Sequence, residues 1–300
     1  MTYSATEYNL TDLLQDAYRE LGQLNISTVD STSSATTVVD TQVADKIGGD
    51  EAWVDGTIFI ILDGTTAGTD PEGKFAIITA WAEATGTFTF ATMTGSPASG
   101  DTYGYANDMY PLNQMIELAN DALRTLGDIP LIDITTLDTA ASQTEYTYAV
   151  AWKRSPPIKV EIQTKLSDAD DFKWKEIHGW HYRPATAGST GLLVLPQPIA
   201  SRDLAIWYMD RHPRVNAYGD PILKAIPPEL AKRALVEKAL QWQNRRMMGG
   251  DDFLLQTWSD AKMNLMQAKL EYPIWKPKRK SRILTLGSRV ETDEFKMPWE

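Results

Sequence analysis

The sequence contains no cysteine, which excludes a disulfide framework, a thiolate zinc site and a thiol nucleophile. A reducing compartment is thereby permitted. No apolar run reaches the length of about 18 residues that a membrane helix needs. The longest candidate, Thr57-Ile58-Phe59-Ile60-Ile61-Leu62, has the length of a strand, so neither a membrane span nor a membrane partner is expected. Met1 to Asp16 holds no Lys or Arg, so no secretory signal is expected either. What is present is ordinary for a globular chain: 43% hydrophobic and 23% charged residues over 300 positions. At about 150 residues per domain that length makes one large domain or two to three small ones.

Positive charge is scarce in one half only. Met1 to Val150 carries four basic against 22 acidic residues, a net of −18, whereas Ala151 to Glu300 carries 25 against 18, a net of +7. Such polarity suits two ends facing different surroundings, or head-to-tail docking between copies. An acidic half is ill suited to gripping DNA, whose phosphates call for Lys and Arg. It is compatible with a solvated face, or with the wall of a channel through which DNA slides.

Helical periodicity marks four segments. Leu10, Leu13, Leu14, Ala17, Tyr18 and Leu21 share one face before Gly22. Leu112, Met115, Ile116, Ala119, Ala122, Leu123 and Leu126 do so before Gly127, with Pro111 expected in the first turn of a helix starting near Asp108. Both end in D-A-x-R-x-L-G, at Asp16 to Gly22 and Asp121 to Gly127, which predicts two similar helices packed side by side. After Pro227-Pro228, Leu230, Ala231, Ala234, Leu235, Ala239 and Trp242 form a third face that Gly249-Gly250 stops. Asp251 or Asp252 then caps a fourth helix, in which Leu254, Trp258, Ala261, Leu265, Ala268 and Tyr272 step by four and three. That seam fits an intramolecular hairpin better than a coiled coil, since it spans under three heptads.

Between the first two helices, strands are expected at 36–43, 57–63, 74–81, 87–92 and 102–106, separated by Gly- and Asp-rich turns, as a small barrel or sandwich. A second β-rich stretch follows, with strands near 146–152, 158–164, 174–182, 191–195 and 203–209, interrupted by prolines. The fold class is therefore α+β. Helices within 1–30 and 108–135, with the hairpin 226–272, make a body; 36–107 is an inserted β-domain; 145–212 is the second β-region; 273–300 is an extended basic C-terminal arm. Within that arm Lys276, Lys278, Arg279, Lys280 and Arg282 carry charge, while Trp275, Ile283, Leu284, Phe295, Met297 and Trp299 add apolar side chains that a purely solvated tail does not need.

A search for catalysis returns nothing specific. Gly68 to Lys74 fits G-x-x-x-x-G-K, but Phe75 stands where a magnesium-binding Ser or Thr belongs, Asp70 and Glu72 repel phosphate, and a strand follows. His178 and His181, three apart on an expected strand, point to opposite faces and do not share a metal. Ser167 to Asp171 opens like a calcium loop without its sixth-position Gly. There is no G-x-S-x-G elbow. No cofactor and no enzymatic activity are expected. Ten Trp and 12 Tyr, some beside bases as in Trp152-Lys153-Arg154 and Trp174-Lys175, suit stacking on bases or sugars, or equally core and subunit contacts.

The run Ile226-Pro227-Pro228-Glu229-Leu230, the helix to Arg246, Met247-Met248-Gly249-Gly250 and the helix through Tyr272 resemble the helical hairpin of head-to-tail adaptor proteins of tailed bacteriophages, of the tail tubular protein A type. The opening helix ending Arg19-Glu20-Leu21-Gly22, and Trp207-Tyr208 followed by Arg211-His212-Pro213, are similar to further parts of that family. The likeness covers about a third of the chain, and the β-insertion departs from the compact adaptor pattern. The resemblance implies a virion neck protein assembled in the host cytoplasm, with self-association into a ring of about twelve copies. Its partners would be the portal protein above and a tail or nozzle protein below, with genomic DNA crossing the lumen without sequence-specific binding. Trp275, Lys276, Lys278, Arg279, Lys280, Arg282, Ile283, Leu284 and Trp299 become candidates for portal docking; Trp242, Leu254, Trp258, Leu265 and Tyr272 become candidates for subunit packing. The rival expectation is a carbohydrate-binding or tail-fibre-like virion module built on the aromatic β-regions.

Overall fold

A computed structural model describes residues 7–31, 33–44, 49–64, 70–134, 138–147, 156–164, 174–183, 191–199, 202–248 and 250–276. The chain is α+β and forms two compact units, one of residues 1–129 with 211–274 and the other of 130–210 with 275–300.

The described residues of the first unit form four α-helices. Helix α1 (Leu10–Glu20) opens on a reciprocal cap: the Asn9 side chain accepts from the Asp12 N–H at 3.1 Å, and the Asp12 carboxylate accepts from the Asn9 N–H at 3.0 Å. Helix α2 (Leu112–Thr125) begins one residue after Pro111, which is its N-cap and not part of its first turn. Pro111 has no N–H to offer a preceding turn and sits extended, so the helix starts later than the Asp108 expected. The shared D-A-x-R-x-L-G ends both helices alike, on Gly22 and Gly127 with φ of 69° and 98°, a conformation that favours glycine. Each of the two packs chiefly on α3 (Pro228–Arg246), with only a small contact between them.

Helix α3 is the centre of the bundle. The single face expected from its sequence is extended by Val236, Glu237, Leu240 and Gln243, all buried, because α1, α2 and α4 (Asp252–Glu271) surround it. Its alanines, Ala231, Ala234 and Ala239, let the neighbouring backbones approach. The Asp251 carboxylate caps α4 by accepting from the N–H groups of Phe253 and Leu254.

Six antiparallel strands complete the unit: β1 (Asn25–Thr28), β2 (Thr37–Val39), β3 (Thr57–Leu62), β4 (Phe75–Ala82), β5 (Thr87–Phe90) and β6 (Thr102–Ala106). They form one sheet in the order β1-β6-β3-β4-β5-β2. The sheet curls until its edges meet: the Asp30 N–H just beyond β1 donates to the Val39 carbonyl on β2 at 3.3 Å, and Ser27 and Thr41 add side-chain bonds to Asp40 and Asp30. Alternate residues of the strands, among them Val38, Ile58, Ile60, Ile78, Phe88 and Tyr103, fill the concave side with Trp53 and Trp81. Strand β1 lies outside the expected insert 36–107.

The described residues of the second unit form two sheets. One has the order β10-β9-β13-β7, from Trp174–Glu176, Lys159–Gln163, Leu204–Asp210 and Ile129–Asp133; the other has the order β11-β12-β8, from His181–Arg183, Leu192–Val194 and Glu145–Thr147. Both contribute to one core, with Val160, Leu204 and Ile206 from the first and Tyr146 and Leu193 from the second. The strand expected at 174–182 is two strands, since the chain turns at Gly179 with φ of 83°. His178 therefore sits in a turn and only His181 lies on a strand. Strand β7, which contains Pro130, is the element not expected here.

Candidate interaction surfaces

The inner side of the α3–α4 hairpin holds the residues expected to pack. Leu254, Trp258, Leu265 and Tyr272 are half-buried and Ala261 and Ala268 buried, all along the one seam that steps by four and three. The Trp258 indole N–H donates to the buried Glu237 carboxylate at 3.0 Å, joining the two helices through a charge-assisted bond. Trp242 packs against Tyr110 with ring centroids 6.3 Å apart, and the Arg246 guanidinium lies 5.5 Å from its ring. Burial pushes the Tyr110 phenol up to about 12. All five candidates for subunit packing thus have contacts within their own chain.

The other side of α4 is apolar too. Leu255, Met263, Met266 and Leu270 are exposed, Leu270 by 85%, and with Ser259 they step by four, four, three and four around the helix. At 100° per residue this stripe lies nearly opposite the inner seam. An exposed helix of a single chain ordinarily carries charge there. The signal was present in the sequence as a second periodic set, but the stronger inner seam accounts for the hairpin without it.

At the hairpin's turn, Arg245, Arg246, Met247 and Met248 are all exposed and Phe253 follows at 79% exposure. Met248 is 94% exposed and has φ of 54°.

Among the arm residues expected to dock on a portal, Trp275 and Lys276 are described and exposed. Trp275 meets Trp207 of β13 edge to face, centroids 5.9 Å apart. The Trp207 indole N–H donates to Glu161 at 2.7 Å, Lys159 lies 5.5 Å from the Trp207 ring, and Lys159 also pairs with Glu161. Lys278, Arg279, Lys280, Arg282, Ile283, Leu284 and Trp299 lie outside the described residues, as do Ser167 to Asp171 and Trp152-Lys153-Arg154.

The curled sheet presents one sign of charge. Between residues 25 and 107 the one described base, Lys74, is buried, its ammonium donating to the Asp70 carbonyl and lying 5.9 Å from the Tyr218 ring. Lys74 is thus taken up by the turn that the phosphate-loop pattern marked. Asp50, Glu51, Asp55, Asp70 and Glu72 are exposed. The accumulation is felt at Asp12 of α1, whose carboxyl is held above its ordinary value, first by burial and then by the charges of Asp16 and Glu72, against the lowering bond from the Asn9 N–H. The sheet's aromatics, Trp53, Trp81, Phe88, Tyr103 and Tyr105, are buried in its core and offer no open stacking face.

Among the described residues no three of His, Asp and Glu gather in a way that could hold a metal ion. None of the described helices is long and apolar enough to cross a membrane. No protein-family model and no curated protein matches the chain.

Proposed function

We propose that this chain is a structural subunit that works by assembly: one copy in a head-to-tail adaptor ring of a tailed phage, joining the portal to tail components around a channel that DNA crosses. The observation that carries this reading is the second apolar stripe on α4. Its inner face is satisfied by α3, so Leu255, Met263, Met266 and Leu270 remain for another chain. A ring of identical copies covers such a stripe with a different surface of the next subunit. The acidic surface of the curled sheet supports the same reading, since it lets nucleic acid pass without adhering. Trp275 and Lys276 begin the arm that would meet the portal.

The rival, a carbohydrate-binding module, would use aromatic platforms on the β-regions, and those of the curled sheet are in its core. The test is the double variant Met263→Glu with Leu270→Glu. It should fold as the parent does, yet fail to form the larger species seen by light scattering with portal rings; an unaltered mass would count against the stripe as an interface.

A further inference from the structure

The α3–α4 turn exposes apolar side chains beside two arginines, of which Arg246 also lies over the Trp242 ring. Met247, Met248 and Phe253 project into solvent beside Arg245 and Arg246. Met248 holds a left-handed backbone, φ 54°, immediately before Gly249 and Gly250. Glycine adopts that conformation without steric cost, whereas a side chain there is unfavourable. A methionine kept in a strained position and 94% exposed stabilises nothing in its own chain. Strain of this kind is characteristic of sites where the side chain is needed for contact. Methionine's flexible thioether also suits an apolar recess whose shape is set by another molecule.

The complement is present on the same chain. At the β3–β4 end of the curled sheet, Leu62, past the bulge that follows Ile60, is 53% exposed, next to Asp63, whose N–H donates to the Glu72 carboxylate at 3.2 Å. Asp70 and Glu72 are exposed there, and Glu72 adds to the repulsion at Asp12. A cationic apolar knob and an anionic patch beside an exposed Leu62, on different surfaces of one chain, make a heterologous pair, which forms a ring when the rotation between copies closes. We infer that the α3–α4 turn of one copy docks on the Leu62–Asp70–Glu72 end of the curled sheet of the next. This rests on the ring reading and specifies which surfaces meet.

The experiment is a cycle of variants in the full chain, with self-association measured by sedimentation at two salt concentrations, with and without portal rings. Met248→Gly relieves the backbone and should raise Tm by about 1–2 °C while weakening association about tenfold, a split that a merely structural role would not give. Arg245→Glu and Glu72→Lys should each weaken association about tenfold, and the two together should restore it to within about twofold of the parent. A combined variant as weak as either single one, or Met248→Gly associating like the parent, overturns the docking. So does Arg245→Glu altering retention on anionic phosphatidylserine vesicles with self-association unchanged. Rings that form normally in all these variants remove this contact alone; a parent chain that stays monomeric with and without portal removes the ring reading as well.

Discussion

Asn120 shows how one side chain fixes a loop. It is buried on α2, its carbonyl accepts from the Val215 N–H at 2.9 Å, and its amide donates to the Val215 and Ile116 carbonyls at 2.8 and 2.9 Å. Asn120→Ala strands both polar groups of Val215 away from water, and should cost about 2–4 kcal/mol by chemical denaturation. A loss of only a few tenths would show that water takes over those bonds. His212 works on the same segment. The Leu223 N–H donates to its Nε2 at 3.0 Å, so the proton sits on Nδ1, facing the Pro213 carbonyl at 2.7 Å. Burial holds its pKa below the ordinary 6.5, against the opposing bond to Pro213. The unfolded chain therefore binds this proton more readily, and the stability that neutral His212 contributes is present above about pH 6.5 and lost as pH falls below it. Midpoints of urea unfolding should drop from pH 7 to pH 5 in the parent and drop less in His212→Gln; equal slopes would contradict this. Neither role was legible in the sequence, because both depend on partners 95 and 11 residues away.

The helices were legible because each carries its own signal. Asn9 with Asp12, Asp251, the paired glycines and the three–four spacing are local features that tertiary packing only reinforced. The missed strands have no such signal. Strand β1, Asn25-Ile26-Ser27-Thr28, exposes its one large apolar side chain and exists because β6 pairs with it. Strand β7 contains Pro130, which reads as a breaker, yet an edge strand tolerates a missing N–H. Helix α4 was half legible: the inner seam predicts the hairpin, while the outer stripe becomes meaningful only once α3 is known to occupy a single side. The two sides should separate experimentally. Trp258→Ala removes a ring from the hairpin and the donor from buried Glu237, and should cost the isolated chain about 2–4 kcal/mol. Met263→Glu with Leu270→Glu should stay within about 1 kcal/mol, judged by thermal melts. The reverse order would place the outer stripe in the folded core.

For the whole molecule, charge was the feature most fully visible in advance. The −18 of the first 150 residues becomes, in the structure, a curled sheet whose described exposed charges are all acidic. Composition cannot say that the aromatics of this sheet turn inward, because alternation along a strand fixes which residues share a side and not which side faces the core. Nor does it show that Trp53, Ile60 and Phe88 close one core while Val160, Leu193 and Ile206 close another. In the assembly proposed above, the exposed stripe of α4 and the α3–α4 turn are the surfaces that another copy would cover. The most direct test is the mass of the parent chain in solution, by light scattering or native mass spectrometry, alone and with isolated portal rings at two salt concentrations. A closed species of many copies, formed alone or on the portal, is the predicted result. A monomer in every condition, indifferent to portal and to salt, would contradict assembly as the function of this protein.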